Sequence, residues 1–381
     1  MIKRWKRAVL KLSILLLSIA LVLLLCELYC AVFVPCTNVT TDILGRDVRA
    51  AQAPVYRKQN EDGIPYYDLE PNQERRLLLI GDRYYHYATN SLGIRGPEIT
   101  ITDPDQFRIL VLGDSQTFGI GLDQDKTFSA QLEVLLHEKG HNKARVFNGG
   151  VPGYGTFDAL WRLKKLINEV RPHVVLAVVY VDNALVPTGG CDLWDNYVRL
   201  LDMQRKDAGA SAVGSPGAEQ VEEPVARAKP AKISFLAQHS HLYGLLSRAK
   251  NSLFQKSYAE QVKQYRLENS QSEQLRMIWD RTRSLLQEMS AVAQVGQAKL
   301  VIMHLPGIAS LEMDDLSALE ELEKTRLPVV SLFAPLQKER QNDSRRLRFK
   351  FDSHYNEKVQ ELIAQQLADY FIAHDLAGPT S

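Results

Sequence analysis

The sequence predicts an α/β fold, a parallel sheet covered by helices on both faces and preceded by a single N-terminal transmembrane helix. Three observations carry that expectation. Short apolar runs of strand length alternate with longer segments whose apolar residues recur at helical spacing. One run, His173 to Val181 (HVVLAVVYV), is almost wholly apolar and rich in Val, as the buried centre of a parallel sheet requires. The chain also starts with a cluster of cations followed directly by a long Leu-rich stretch.

That start sets the organisation. The chain has 381 residues, 45% apolar and 24% charged, with a formal net charge of +1. This composition excludes disorder throughout and gives no support for nucleic-acid binding, which calls for a basic excess. The near balance hides an asymmetry, because Lys3, Arg4, Lys6, Arg7 and Lys11 stand together without an acid. Removing those five from the 46 Lys and Arg leaves the body mildly acidic against 45 Asp and Glu. Residues 1–8 read as a basic cytoplasmic tail and 9–34 as the anchor, since the run Leu12 to Cys26 is uncharged and a bilayer needs roughly 20 mostly apolar residues. Cations on one flank orient the span, so the body is expected in the periplasm or outside the cell. A cleaved signal peptide is the rival, but no small-residue cleavage site follows the apolar run. Cys36 and Cys191 would then face an oxidising compartment, and pairing and free thiols are both open.

Residues 35–105 form a juxtamembrane connecting region, rich in Tyr, Asn, Asp and Arg, that is expected to wrap the domain following it. Residues 106–381 are that domain. Phe107 to Gly113 (FRILVLG) reads as its first strand, Thr127 to His137 as a helix, and residues 146–148 as a second strand. Ala159, Leu160, Leu163, Leu166, Ile167 and Val170 mark another helix before the strand at 173–181. Residues 206–232, dominated by Ala, Gly, Pro, Ser and Glu, read as a mobile low-complexity insertion. A long helix over roughly 257–293, strands at 300–304 and 329–333, and a closing helix around Val359 to Leu367 complete the order. Ligands of such sheets lie beyond the carboxyl ends of the strands.

Two features carry chemistry. Gly113-Asp114-Ser115 follows the first strand directly, where a serine at a strand-to-helix turn is exposed and neighbouring backbone N–H groups can face an oxyanion. Near the far end, Asp352-Ser353-His354-Tyr355-Asn356 precedes the closing helix. An acid two residues before an imidazole can orient it and stabilise its cation while it takes a proton from Ser115. His304, at a strand end, is expected to be a packed histidine, and Trp161 and Trp279 to be core residues. Asn38-Val39-Thr40 matches a glycosylation acceptor. No cysteine or histidine spacing suggests a metal, and no cofactor is expected.

Taken in order, GDSQTFG, then NGGVPGYGT (Asn148 to Thr156), an Asn after the third strand, and DSHYN resemble the blocks of the SGNH/GDSL hydrolase superfamily. NSLGIRGPE (Asn90 to Glu98) is similar to the segment before the first block in membrane-anchored or secreted bacterial members. The resemblance implies a three-layer α/β/α, flavodoxin-like domain with Ser115 as nucleophile, His354 as base and acid, and Asp352 as its partner. It further implies oxyanion donors from the N–H groups of Ser115 and Gly153 and from an Asn side chain. Many relatives space the acid and base as D-x-x-H, whereas this chain has D-x-H. At the last donor, where relatives read N-D, this chain has Asp182-Asn183-Ala184. One register keeps the donor as Asn183; the other places Asp182 there, whose carboxylate only accepts hydrogen bonds. The first is favoured.

The function so implied is a serine esterase or acyl hydrolase acting outside the cytoplasm on an ester, an O-acylated glycan or a lipid, through an acyl-serine. Two alternatives remain: a glycan O-acyltransferase using the same site, and a weak or inactive glycan-binding or assembly protein. Expected partners are the substrate, the membrane and proteins of polysaccharide synthesis. Acyl group, alcohol and oligomeric state are not readable.

Overall fold

The computed structural model describes residues 2–33, 55–59, 65–78, 84–100, 103, 105–181, 273–342, 347–349, 352 and 354–380. Helix α1 (Ile2–Phe33) comes first. Its described large apolar side chains, Ile14, Leu17, Ile19 and Leu24 among them, are exposed. Among the described residues no helix is long and apolar enough to cross a membrane. The helical form expected at the start of the chain is therefore present, while a membrane crossing is not shown.

Two antiparallel hairpins follow, β1 (Val55–Gln59) with β2 (Pro65–Leu69) and β3 (Glu74–Leu78) with β4 (Tyr84–Ala88). The main sheet has five strands: β5 (Phe107–Leu112), β6 (Ala144–Asn148), β7 (Val174–Val181), β8 (Lys299–Pro306) and β9 (Val329–Ser331). Their order is β6-β5-β7-β8-β9, every pair parallel. The chain winds outward from β5 to β6, then crosses back to β7, which makes the carboxyl end of β5 the switch point of a doubly wound sheet.

Side-chain alternation in β7 shows why this sheet has two covered faces. Val174, Leu176 and Val178 enter one apolar cluster with α3 (Phe128–Glu138) and α9 (Glu357–Ala373). Val175, Ala177, Val179 and Val181 enter the other, with α4 (Thr156–Val170) and α5 (Glu273–Val295). A strand buried on both faces has no polar side to alternate with, hence its continuous apolar sequence. Between β5 and α3 lies the four-residue helix α2 (Ser115–Phe118); α6 (Ile308–Met313), α7 (Ser317–Glu323) and α8 (Phe333–Asn342) flank β9.

The expected sheet and helix elements lie where the sequence put them, with one correction. The run at 329–333 is strand only to Ser331, because the Ser331 hydroxyl accepts the Phe333 backbone N–H and turns the chain into α8. The insertion at 206–232, the Asp182-Asn183-Ala184 block, Cys36, Cys191, Asn38 and the first part of the helix expected from 257 lie outside the described residues.

The connecting region packs into the domain at both hairpins. Asp68, buried within β2, accepts from the buried Arg162 of α4 and from Lys165 at 2.6 Å, and Arg162 also donates to the Gly93 carbonyl at 2.8 Å. Leu77, Tyr85 and Tyr87 of the second hairpin join Phe118, Val151, Tyr154 and Phe349 in a third apolar cluster.

Candidate active site

Ser115 opens α2 immediately beyond β5. A four-residue helix cannot hold itself, since nucleation fixes several dihedrals for a single hydrogen bond. Its neighbours hold it instead. Asp114 is the N-cap, its carboxylate accepting the Gln116 N–H at 2.9 Å. Asn148, at the end of β6, donates from its side chain to the Thr117 carbonyl at 2.9 Å. Gln116 accepts the Tyr355 N–H at 3.0 Å, tying the helix to the loop that carries the imidazole. Gly150 lies so close beneath that a Cβ there would stand 2.4 Å from the Phe118 nitrogen.

The imidazole loop is short and self-bonded. Phe349 donates its N–H to the His354 carbonyl at 3.2 Å, and Asn356 to the Leu347 carbonyl at 3.1 Å. The Tyr355 hydroxyl donates to the Pro306 carbonyl at the end of β8. Asn356 then caps α9. Asp352 Oδ1 accepts the His354 backbone N–H at 2.8 Å and lies 2.5 Å from His354 Nδ1. His354 Nε2 lies 2.8 Å from Ser115 Oγ. An ionised carboxylate only accepts, so Nδ1 carries the ring proton and Nε2 is left free to accept from the serine hydroxyl.

Electrostatics agree with that assignment. Burial alone would raise the Asp352 carboxyl, but the hydrogen bonds and electrostatic pull of His354, together with Arg348, outweigh it, and the group sits below the ordinary carboxylate range. Asp114 behaves oppositely. Its burial pushes it up to about 6, against backbone hydrogen bonds from Gln116 and Thr117 and the nearby His354. His304 is wholly buried near the end of β8, its Nδ1 2.9 Å from the Ser331 hydroxyl, and burial lowers it to about 4. It is a packed neutral histidine. Trp279 is likewise buried in the core, and Trp161 packs against the same cluster.

Ser115, His354 and Asp352 are thus brought together from opposite ends of the domain. Gly153 lies exposed on the loop between β6 and α4 with φ +81°, in the left-handed region that favours glycine. Asn183 lies outside the described residues. Sequence reasoning missed Asn148 and Gln116 as supports of α2, although both stand inside the blocks it read.

No family model matches the chain, and no curated protein matches it. Among solved structures it is similar to LAE5, an alpha/beta hydrolase enzyme from the metagenome of Lake Arreo, Spain, at 12% identity and TM-score 0.39, over 72% of this chain and 97% of that one. It is also similar to a lipase/acylhydrolase from Enterococcus faecalis, at 11% identity and TM-score 0.39, over 72% and 99%. A third is the psychrotrophic esterase EstA from Pseudoalteromonas, at 15% identity and TM-score 0.35, over 70% and 97%. Likeness at that level carries no functional weight; the contacts within this chain do.

Proposed function

We propose that this chain is a serine ester hydrolase of SGNH/GDSL type. The supporting observation is the unbroken relay from Asp352 through His354 to Ser115, with spacings of 2.5 and 2.8 Å. His354 Nε2 takes the hydroxyl proton as Ser115 Oγ attacks the ester carbonyl, and Asp352 stabilises the imidazolium so formed. The Ser115 and Gly153 N–H groups and the Asn183 side chain receive the oxyanion. Collapse expels the alcohol, protonated by His354, and leaves an acyl-Ser115. Water, deprotonated by the same imidazole, releases the acid. The proposed substrate is an O-acylated glycan or lipid outside the cytoplasm; the five early cations and the uncharged run Leu12 to Cys26 are what support a body tethered to the membrane.

Labelling by a fluorophosphonate probe tests the reading. Modification of the wild type, lost in Ser115→Ala, is the expected outcome; a folded wild type that stays unlabelled removes the enzyme and leaves a binding protein. A chromogenic acetyl ester, turned over with and without an acylatable polysaccharide, separates release to water from transfer to a sugar hydroxyl.

A further inference from the structure

Arg95 is 1% exposed and contributed by the connecting region, yet its guanidinium reaches the far end of the nucleophile helix. Nη1 donates to the carbonyls of Phe118 at 2.7 Å and Gly119 at 2.8 Å, which are the last residue of α2 and its C-cap. Nη2 donates to the Leu122 carbonyl at 2.5 Å and to that of His86 at 3.4 Å, and Nε to the Gln124 side chain at 3.0 Å. The guanidinium also lies 4.7 Å from the centre of the Phe118 ring and 5.6 Å from that of Tyr87. Burial lowers its pKa to about 10, against the Tyr85, Tyr87 and Asp123 side chains, so it remains a cation.

This is an unusual use of a buried arginine. The partners named are nearly all backbone carbonyls; two of them, those of Phe118 and Gly119, end α2, and a third, that of Leu122, follows shortly after. A planar fork with five donors can gather several carbonyls at once, whereas an ammonium cannot reproduce that geometry. Asp114 thus holds the N-terminal end of α2 and Arg95 its C-terminal end. Ser115 Oγ therefore keeps its 2.8 Å approach to His354.

We infer that Arg95 is a positioning residue for the Ser115 nucleophile, by which the connecting region becomes part of the catalytic unit. The inference rests on the ester-hydrolase reading. It is tested with the full chain, using Arg95→Lys, with Arg162→Lys as the control for losing an equally buried guanidinium that grips Asp68 instead. Three quantities are compared per folded molecule: the fluorophosphonate inactivation rate, kcat and KM for a chromogenic acetyl ester.

Arg95→Lys is expected to lower kcat and the inactivation rate by about tenfold or more, with KM within about twofold, as misplacement away from the chemistry does. Arg162→Lys is expected to lower stability but to keep the wild-type rate per folded molecule. Partial recovery of Arg95→Ala by millimolar guanidinium, absent for Arg162→Ala, adds support. If Arg95→Lys does not fold, Gln124→Ala, which removes only the Nε partner, takes its place with an expected loss of about threefold. Wild-type reactivity in the folded variant, or a loss matched by Arg162→Lys, overturns the inference while leaving the hydrolase. An unlabelled wild type overturns both.

Discussion

Ser115 and His354 meet across 239 residues of sequence, but the supports behind them differ in origin. The serine sits on a helix too short to stand alone, gripped by side chains from β6 and the connecting region and by a backbone N–H of the imidazole loop. The imidazole sits on a loop whose bonds are mostly its own, with the acid two residues away. Beyond the Asp114 cap, the short nucleophile helix is placed by distant parts of the chain, Asn148 and Arg95 among them. A base paired with a near neighbour is oriented as soon as its loop forms.

The contrast can be attacked from both sides. Asp352→Asn strikes the local support and is expected to cost about 10⁴ in kcat, because an amide can fix the wrong imidazole tautomer. Steady-state turnover of a chromogenic ester checks it, and a near-normal rate removes Asp352 from the relay. Asn183→Ala is aimed at the oxyanion instead; loss of one donor is expected to cost about 10²–10³ in kcat with the fold intact. Unchanged turnover there favours the other register of the Asp182-Asn183-Ala184 block.

Gly150→Ala strikes the distant support by pushing on the Phe118 nitrogen and Thr117 backbone. Overpacking of this kind is expected to cost about 1–3 kcal/mol in a denaturation titration, with turnover falling alongside. The smallest effect belongs to Asp114→Asn, where the amide oxygen still caps Gln116. Wild-type Asp114 is raised from 3.8 to about 6, so its contribution is fully present below the lower value and lost as pH rises through the upper. Stability of the Asn variant relative to wild type is therefore expected to improve between about pH 4 and 6, and a pH-independent difference would contradict it.

Most of the sheet domain was legible because its strands are buried on both faces and read as bare apolar runs, β7 above all. Ser115 and the Asp352-His354 pair were legible because residue type and position coincide: a serine just past a strand, and an acid within one loop of its base. The hairpin β3–β4 was not legible, since its five-residue strands carry Arg, Tyr and His, and among the described side chains Leu77, Tyr85 and Tyr87 turn into the core. Arg95 lay in plain view within NSLGIRGPE, yet its task depends on carbonyls 23 to 27 residues further on, which no local pattern announces. Asp68 and Arg162 are separated by 94 residues and were invisible for the same reason.

The order of the triad along the chain has a consequence in time. At about 5–20 residues per second, roughly 12–48 s of synthesis separate Ser115 from the histidine that activates it. Throughout that interval the serine is an ordinary alcohol, without the reactivity that would let it acylate on passing esters. Helix α9, where Gln360 accepts the Phe128 N–H and reaches the Gln116 carbonyl, is made last and can dock only after that interval. On the proposed reading, the newborn protein is chemically silent until that histidine has been made.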